Sequence, residues 1–276
     1  MTSEARGAKT ILVTGASDGI GRAAARQLGE RGARVVVHGR SPEKAARVAD
    51  ELARETGRDA FVPVAGDLAR LDDVRALAAD VAARFSPLDV LVNNAGIFAR
   101  TRELSADGFE LTLAVNQLAP FLLTHLLIDA LAPSARIVFV SSNVHRSVRA
   151  LDFDDLDRAR DWDGYAAYAD SKLMNAATAF ELARRLEPRG ITVNAMHPGV
   201  IATKLLRGGF GMSGGAGLDR GAAGEVKLAL DPALAGITGR YFDQTEESKA
   251  SALANDRTLQ SKVYEVCLER TGAKAM

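Results

Sequence analysis

Short apolar runs alternate with longer stretches of helical period along most of the chain. Thr10–Val13, Arg34–Val37, Phe61–Val64, Val90–Val92, Ile137–Val140 and Ile191–Ala195 are short and mostly rich in branched apolar residues, so each reads as a strand. Helical patterns separate them at Ile20–Arg31, from Ser41 to Thr56, at Leu71–Phe85, from Asp107 to Leu131 and at Tyr165–Leu186. Ser41-Pro42 supplies an N-cap followed by proline at the first helical position. Apolar strands joined through helices of this length predict right-handed crossovers and a parallel sheet covered on both faces. The C-terminal third continues with a helix near Ala222–Leu230, a short strand around Gly239–Phe242 and a helix from Asp256 to Arg270. No compositional break divides the chain, so the expectation is one α/β domain over residues 1–276, a doubly wound, mostly parallel sheet of about seven strands.

One stretch resists this pattern. Arg207 to Gly224 carries eight glycines and is costly to order. It reads either as a disordered surface loop or as a mobile cover, spanning about residues 201–224, over a ligand.

Composition narrows the function. A hydrophobic share of 47% and a charged share of 25% are those of a globular chain rather than a disordered one. Lys+Arg and Asp+Glu both number 35, so no global field favours nucleic acid or an anionic membrane. Cys267 is the only cysteine, which precludes an intrachain disulfide and fits a reducing compartment. Met1 to Lys9 is polar and leaves no room for a secretory apolar segment. The most apolar helical stretch, Phe121 to Leu131, is interrupted by His125 and Asp129 and reads as too short to span a bilayer. The expectation is a cytoplasmic protein with a small-molecule substrate, no nucleic acid and no membrane segment. His38, His125, His145 and His197 lie far apart without ligand spacing, so no metal is expected.

Candidate chemistry begins at Thr14-Gly15-Ala16-Ser17-Asp18-Gly19-Ile20-Gly21, directly after the first strand. An apolar strand entering a glycine-rich turn and then a helix is how α/β proteins hold a dinucleotide. Gly15 allows the sharp exit, Gly19 a close approach of backbone to a diphosphate, and Gly21 close packing of the helix on the sheet. Free N–H groups at the helix start would face the phosphates. After the second strand the chain reads His38-Gly39-Arg40-Ser41, with no carboxylate for a ribose 2′-hydroxyl. Arg40 and Ser41 instead suit a 2′-phosphate, so NADP(H) is favoured and NAD(H) is not excluded. Arg22 could serve the same anion. Asp67, followed by Leu68, is placed for the adenine edge or for capping the next helix.

Tyr168 and Lys172 are four residues apart and share a helix face. An ammonium beside a phenol stabilises the phenolate and lowers its pKa. Ser141 and Ser142 follow the fifth strand, at the sheet edge where ligands bind, and a hydroxyl there can bond a substrate carbonyl.

Taken together, these residues resemble the short-chain dehydrogenase/reductase family over nearly the full length. The likeness rests on Thr14-Gly15-x3-Gly19-x-Gly21, Asn93-Asn94-Ala95-Gly96, Asn116, Ser142, Tyr168-x3-Lys172 and Pro198-Gly199-x3-Thr203, in family order. It implies a Rossmann-type fold and a carbonyl/alcohol oxidoreductase in which Tyr168 is the acid/base and Lys172 lowers its pKa and bonds the nicotinamide ribose. It further implies that Ser142 orients the carbonyl and that Asn116 holds a water in a relay to Lys172. Asn94, Ala95 and Gly96 would line the cofactor pocket, and Pro198, Gly199, Val200 and Thr203 would border the nicotinamide and diphosphate. The acidic insert Leu151–Leu156 and Tyr165-x2-Tyr168-x2-Ser171-Lys172-Leu173-x-Asn175 are similar to the retinol-dehydrogenase-like branch, with its WW-domain oxidoreductase and protochlorophyllide reductase relatives. The resemblance also implies a homodimer or homotetramer and a covering role for residues 201–224. Asp18 departs from the basic residue many NADP-binding members carry there. The reading from another class is a sensor or scaffold that binds NADP(H) without turnover.

Overall fold

The alternation of β-branched runs and amphipathic segments resolves, in a computed structural model describing residues 7–276, into one eight-stranded sheet flanked by helices. The N-terminal reading rests in part on residues 1–6, which lie outside the described residues. The strands are β1 (Thr10–Val13), β2 (Arg34–Gly39), β3 (Phe61–Ala65), β4 (Leu88–Asn93), β5 (Leu131–Val140), β6 (Thr192–His197), β7 (Tyr241–Asp243) and β8 (Glu246–Ser248). Their spatial order is β3-β2-β1-β4-β5-β6-β7-β8, parallel throughout except for the β7–β8 pair. The chain winds outward from β1 through β2 to β3, then crosses back to β4. This reversal opens a crevice beyond the carboxyl ends of β1 and β4, where open α/β sheets bind ligands.

Alternate residues of each strand feed opposite faces. Ile11, Val13, Val35 and Val37 are buried with Leu28, Val48 and Leu52 under α1 (Gly19–Glu30) and α2 (Pro42–Thr56). Leu12, Val36 and Leu91 are buried on the other face, with residues of α3 (Leu71–Phe85) and of the helices that follow. The predicted helix from Asp107 begins at Leu111 instead. The Asp107 carboxylate accepts from the Leu71 backbone N–H at 2.9 Å, capping α3, whose own N-cap position is Arg70. The helix is also not uniform. It comprises α4 (Leu111–Leu113), a π-helical turn Ala114–Leu118, α5 (Ala119–Leu127) and a 3₁₀ turn Ile128–Ala130.

Beyond β5 come α6 (Gly164–Leu186), α7 (Lys204–Phe210), α8 (Leu218–Leu230) and α9 (Arg257–Thr271). The glycine-rich stretch therefore contains helical turns at both ends. Between them, Ala216 pins the segment to the exit of β6: its carbonyl accepts from the Ala202 N–H at 3.0 Å and its own N–H donates to Val200 O at 2.9 Å. β8 adds an antiparallel edge strand that its polar sequence, Glu246-Glu247-Ser248, does not announce.

Candidate active site

The glycine turn sits at the sheet reversal, as the β1–turn–α1 pattern requires. Gly15 has φ +66°, and a Cβ there would lie 2.9 Å from Ala95 Cα. A Cβ on Gly21 would lie 2.3 Å from Asn94 Nδ2, so this glycine is needed for helix-on-loop contact. Asn94 Nδ2 donates to Thr14 O at 2.6 Å, and the Asn94 and Ala95 N–H groups both donate to Thr14 Oγ1 at 3.0 Å. The Asn93–Gly96 loop is thereby locked to the end of β1. Gly19, with φ +58°, differs. Its missing Cβ would meet only Thr203 Cγ2, at 3.9 Å, so the turn faces the Pro198–Thr203 segment across open space. That space is the fit expected of a dinucleotide cradle. Thr203 caps α7, accepting from the Leu206 N–H at 3.0 Å, while Pro198 is buried and Val200 exposed.

Asp18 caps α1 through the Gly19 N–H at 2.8 Å and also pairs with Lys204 Nζ at 2.6 Å. The Lys204 ammonium holds its carboxyl below the ordinary range. The acidic residue that departs from the NADP pattern is thus neutralised by the first residue of α7. Ile20 packs against Ala23, Ala24 and Ala222, bringing α1 onto α8, and Ser17 is half-buried in the turn.

At the adenosine end, Arg40 is exposed and has no ion pair among the described residues, while Ser41 caps α2. Arg22 is not available as an alternative anion partner. Its guanidinium pairs with Glu55 at 2.5 Å and Glu51 at 3.4 Å, both on α2. Asp67 accepts from the Ala69 N–H at 3.0 Å and so caps a turn rather than α3. Leu68 is buried in the core with Val64 and Leu71.

The catalytic candidates converge beyond β4 and β5. Tyr168 and Lys172 lie in the first half of α6, both almost fully buried, with Lys172 Nζ 5.6 Å from the Tyr168 ring centroid. Lys172 Nζ donates to Val140 O at 2.8 Å and Asn175 Oδ1 at 3.3 Å, both neutral acceptors, and burial pushes its pKa down to about 8. Burial pushes the Tyr168 phenol well above its ordinary value, and the hydroxyl of Ser142 pulls in the opposite direction. The net result is a phenol raised by burial, with Ser142 rather than Lys172 supplying the opposing pull. Ser141 does not compete for the Ser142 role, because its hydroxyl donates to Lys172 O at 2.7 Å.

Asn116 lies inside the π-helical turn. Its Oδ1 accepts from the Ile97 N–H at 2.8 Å, and its Nδ2 donates to Ile97 O and Ser171 Oγ, each at 3.0 Å. A Cβ on Gly96 would sit 3.5 Å from Asn116 Oδ1 and 3.4 Å from Lys172 Nζ, so this glycine opens the space between them. Asn175, not singled out as a site residue from sequence, links the same groups. While accepting from Lys172, it donates through Nδ2 to Asn116 O at 2.7 Å and Gln117 Oε1 at 2.9 Å. Its place one turn beyond Lys172 on the same helix face was the available signal.

His145 is fully buried behind Ser142. Its Nδ1 bonds Ser142 O at 2.6 Å and its Nε2 accepts from the Ser251 N–H at 3.0 Å, so it braces the serine's backbone. His197 is half-buried at the end of β6. Aromatic side chains cover the tyrosine. Phe210, from α7, lies 5.5 Å from the Tyr168 ring, 5.0 Å from Phe98 and 6.0 Å from Tyr165 between centroids. The Arg100 guanidinium bonds Gly208 O, holding α7 against this cluster. Trp162 stands at its edge, near the position a Gly164 Cβ would take and within 3.5 Å of Glu110 Oε1.

The short chain dehydrogenase family profile matches residues 9–210. The chain belongs to the short-chain dehydrogenase family. It is an oxidoreductase of the retinol-dehydrogenase-like branch. It is 36% identical over 285 residues to human retinol dehydrogenase 14, covering 94% of this chain and 84% of that one. It is 39% identical over 285 residues to mouse polyprenol dehydrogenase, covering 96% and 84%. Among solved structures, the landomycin C-6 ketoreductase LanV with bound NADP and rabelomycin superposes with a TM-score of 0.68 at 32% identity, covering 87% of this chain and 95% of that one.

These relatives correct one expectation. Retinol and polyprenol, which name two of them, are water-insoluble lipid alcohols of the kind that reside in membranes. The helical stretch read as too short runs for 20 residues, Leu111–Ala130, and is long and apolar enough to cross a bilayer, although 83% of its most apolar window is buried in the fold. The expectation of no membrane segment does not stand.

Proposed function

We propose that this chain interconverts the carbonyl and alcohol of an apolar substrate with NADP(H), using Tyr168 as acid/base. The observation that carries the reading is the convergence of Ser142, Tyr168 and Lys172 under an aromatic cover at the sheet reversal. Gly15, Ser17, Asp18, Gly19, Ile20 and Gly21 would hold the diphosphate, with Thr203 opposite. Asn94, Ala95, Gly96, Pro198, Gly199 and Val200 would line the nicotinamide end. NADP(H) is preferred to NAD(H) because Arg40 is exposed with no ion pair among the described residues, and because LanV was solved with NADP bound. Asp67 and Leu68 would border the adenine.

The cofactor supplies or accepts the hydride; the chain's own residues manage the oxygen and the proton. Burial keeps the Tyr168 phenol protonated at neutral pH, ready to give its proton to a carbonyl oxygen. Ser142 would donate to that oxygen as negative charge develops. Lys172, mostly charged at neutral pH, stabilises the phenolate left behind. Asn116 and Asn175 fix the lysine's surroundings, and residues 201–224 close over the substrate through Phe210. The aromatic wall of Phe98, Tyr165 and Phe210 and the relatives' names support a lipid-like alcohol or aldehyde. A cytoplasmic location is part of the proposal, resting on the lone thiol Cys267.

The test is turnover of a panel of retinoid, prenyl and small aromatic carbonyls with NADPH. Tyr168→Phe should lower kcat by about 10²-fold or more while NADPH binding and the circular dichroism spectrum hold. Wild-type rates in that variant would remove Tyr168 from the reaction, and tight NADPH binding without turnover of any substrate would favour a sensor.

A further inference from the structure

His38 is the penultimate residue of β2 and is 3% exposed, yet both of its ring nitrogens are engaged. The Gly15 N–H donates to Nδ1 at 3.0 Å, and Nε2 lies 3.0 Å from Gly66 O. One arrangement satisfies both contacts: a neutral ring, unprotonated at Nδ1 and carrying its hydrogen on Nε2. The His38 backbone adds a third tie, its carbonyl accepting from the Ala16 N–H at 2.9 Å. The first two residues after Thr14 in the glycine turn are thus held by one side chain and its own backbone, and the same ring reaches across to the exit of β3.

We propose that His38 is a positioning residue for the dinucleotide, clamping the glycine turn in its binding shape only while its imidazole is neutral. The proposal rests on the reading of Gly15–Gly21 as the diphosphate cradle. Its physical basis is the directionality of the Gly15 contact. A proton on Nδ1 would place an N–H against the Gly15 N–H, leaving a half-buried backbone donor without an acceptor and two donors face to face. Gly15 already holds a left-handed conformation against Ala95, so the turn cannot pivot on it freely to relieve the conflict. The ring is released or the turn shifts, and the N–H groups after Gly15 lose their alignment.

The charges around the ring fix the direction of the effect. Burial lowers the His38 pKa, while the Gly66 carbonyl and the Asp67 carboxylate beyond β3 partly oppose that. Within the glycine turn, Asp18 is turned to Lys204. The clamp is therefore intact at neutral pH and opens only below the ordinary imidazole range, with dinucleotide affinity falling as the pH falls.

Two measurements on the full chain test this. Without cofactor, long-range ¹⁵N–¹H spectra should show His38 as the Nε2–H tautomer at about pH 7, and the Gly15 amide should shift as the ring titrates. Fluorescence titrations with NADPH and with NADH should show the wild type losing affinity as the pH falls from about 7.5 to below the ordinary imidazole range, by about fivefold once the ring is protonated, the scale of one hydrogen bond. His38→Asn keeps an acceptor near the Nδ1 position but cannot titrate. Its affinities should change only as the NADPH 2′-phosphate itself titrates, and for NADH should stay flat. An Nδ1–H tautomer, or a wild-type to His38→Asn affinity ratio that is constant with pH, overturns the clamp. Failure of both dinucleotides to bind at any pH instead overturns the cofactor reading, while the apo spectra still judge the clamp.

Discussion

Glu225 sits on α8 at 0% exposure, and neither carboxylate oxygen has a hydrogen-bond partner among the described residues. Burial pushes its pKa up from 4.5 to about 8. The folded chain therefore binds more protons than the unfolded chain between these two values. Stability from this group is fully present below 4.5, declines as the pH rises, and is lost through about 8. At pH 7 an unfolded glutamate ionises freely while the buried one must stay protonated, which costs the fold about 3 kcal/mol. Glu225→Gln keeps the shape without the ionisation. Its stability advantage over the wild type should widen from about 1 kcal/mol near pH 5 to about 4 kcal/mol near pH 8. The buried amide is also unpartnered, so only the pH-dependent part of the difference is diagnostic. Urea unfolding of both proteins at several pH values measures it, with equal m-values confirming a common unfolded state. A difference that stays flat across the range would mean that Glu225 has a partner or reaches solvent, and would refute the reasoning.

Phe210→Ala removes ring contacts to Phe98, Tyr165 and Tyr168, each worth about 1 kcal/mol. It should raise KM for an apolar substrate about tenfold, leave a small polar carbonyl unaffected in steady-state assays, and speed proteolysis near α7. Arg40→Ala should weaken NADPH about tenfold and leave NADH unchanged in fluorescence titrations, because the side chain is exposed and has no partner among the described residues. Lys172 deprotonates through about pH 8, so kcat/KM for carbonyl reduction should fall on that alkaline limb, and a profile flat to about pH 10 would contradict its buried, charge-carrying role.

The parts of the site legible in the sequence were those that local chemistry dictates. A glycine turn after an apolar strand, a tyrosine and lysine one helical turn apart, and hydroxyls at a strand end each carry their geometry within a few residues. What escaped depends on contacts made across the fold. Arg22 looked free on its own helix because its partners, Glu51 and Glu55, come from α2. The start of α4 was displaced because Asp107 caps α3 rather than its own helix. His38 read only as a scattered histidine, since Gly15 and Gly66 meet it through strand pairing. β8 offered no apolar alternation, being a polar strand at the sheet edge.

The π-helical turn around Asn116 makes this part of the chain sensitive to residue number independently of residue type. One residue beyond the α-helical count is housed between Ala114 and Leu118. Deleting it would restore a regular helix but rotate everything on one side by about 100°. Either Asn116 would leave Ile97 and Ser171, or Phe121, Leu122 and Leu123 would leave the core in which all three are fully buried. Substitutions here can be absorbed one side chain at a time, whereas a single-residue gap forces a choice between the fold and the active site. Alignments of this segment should therefore vary in letters long before they vary in length.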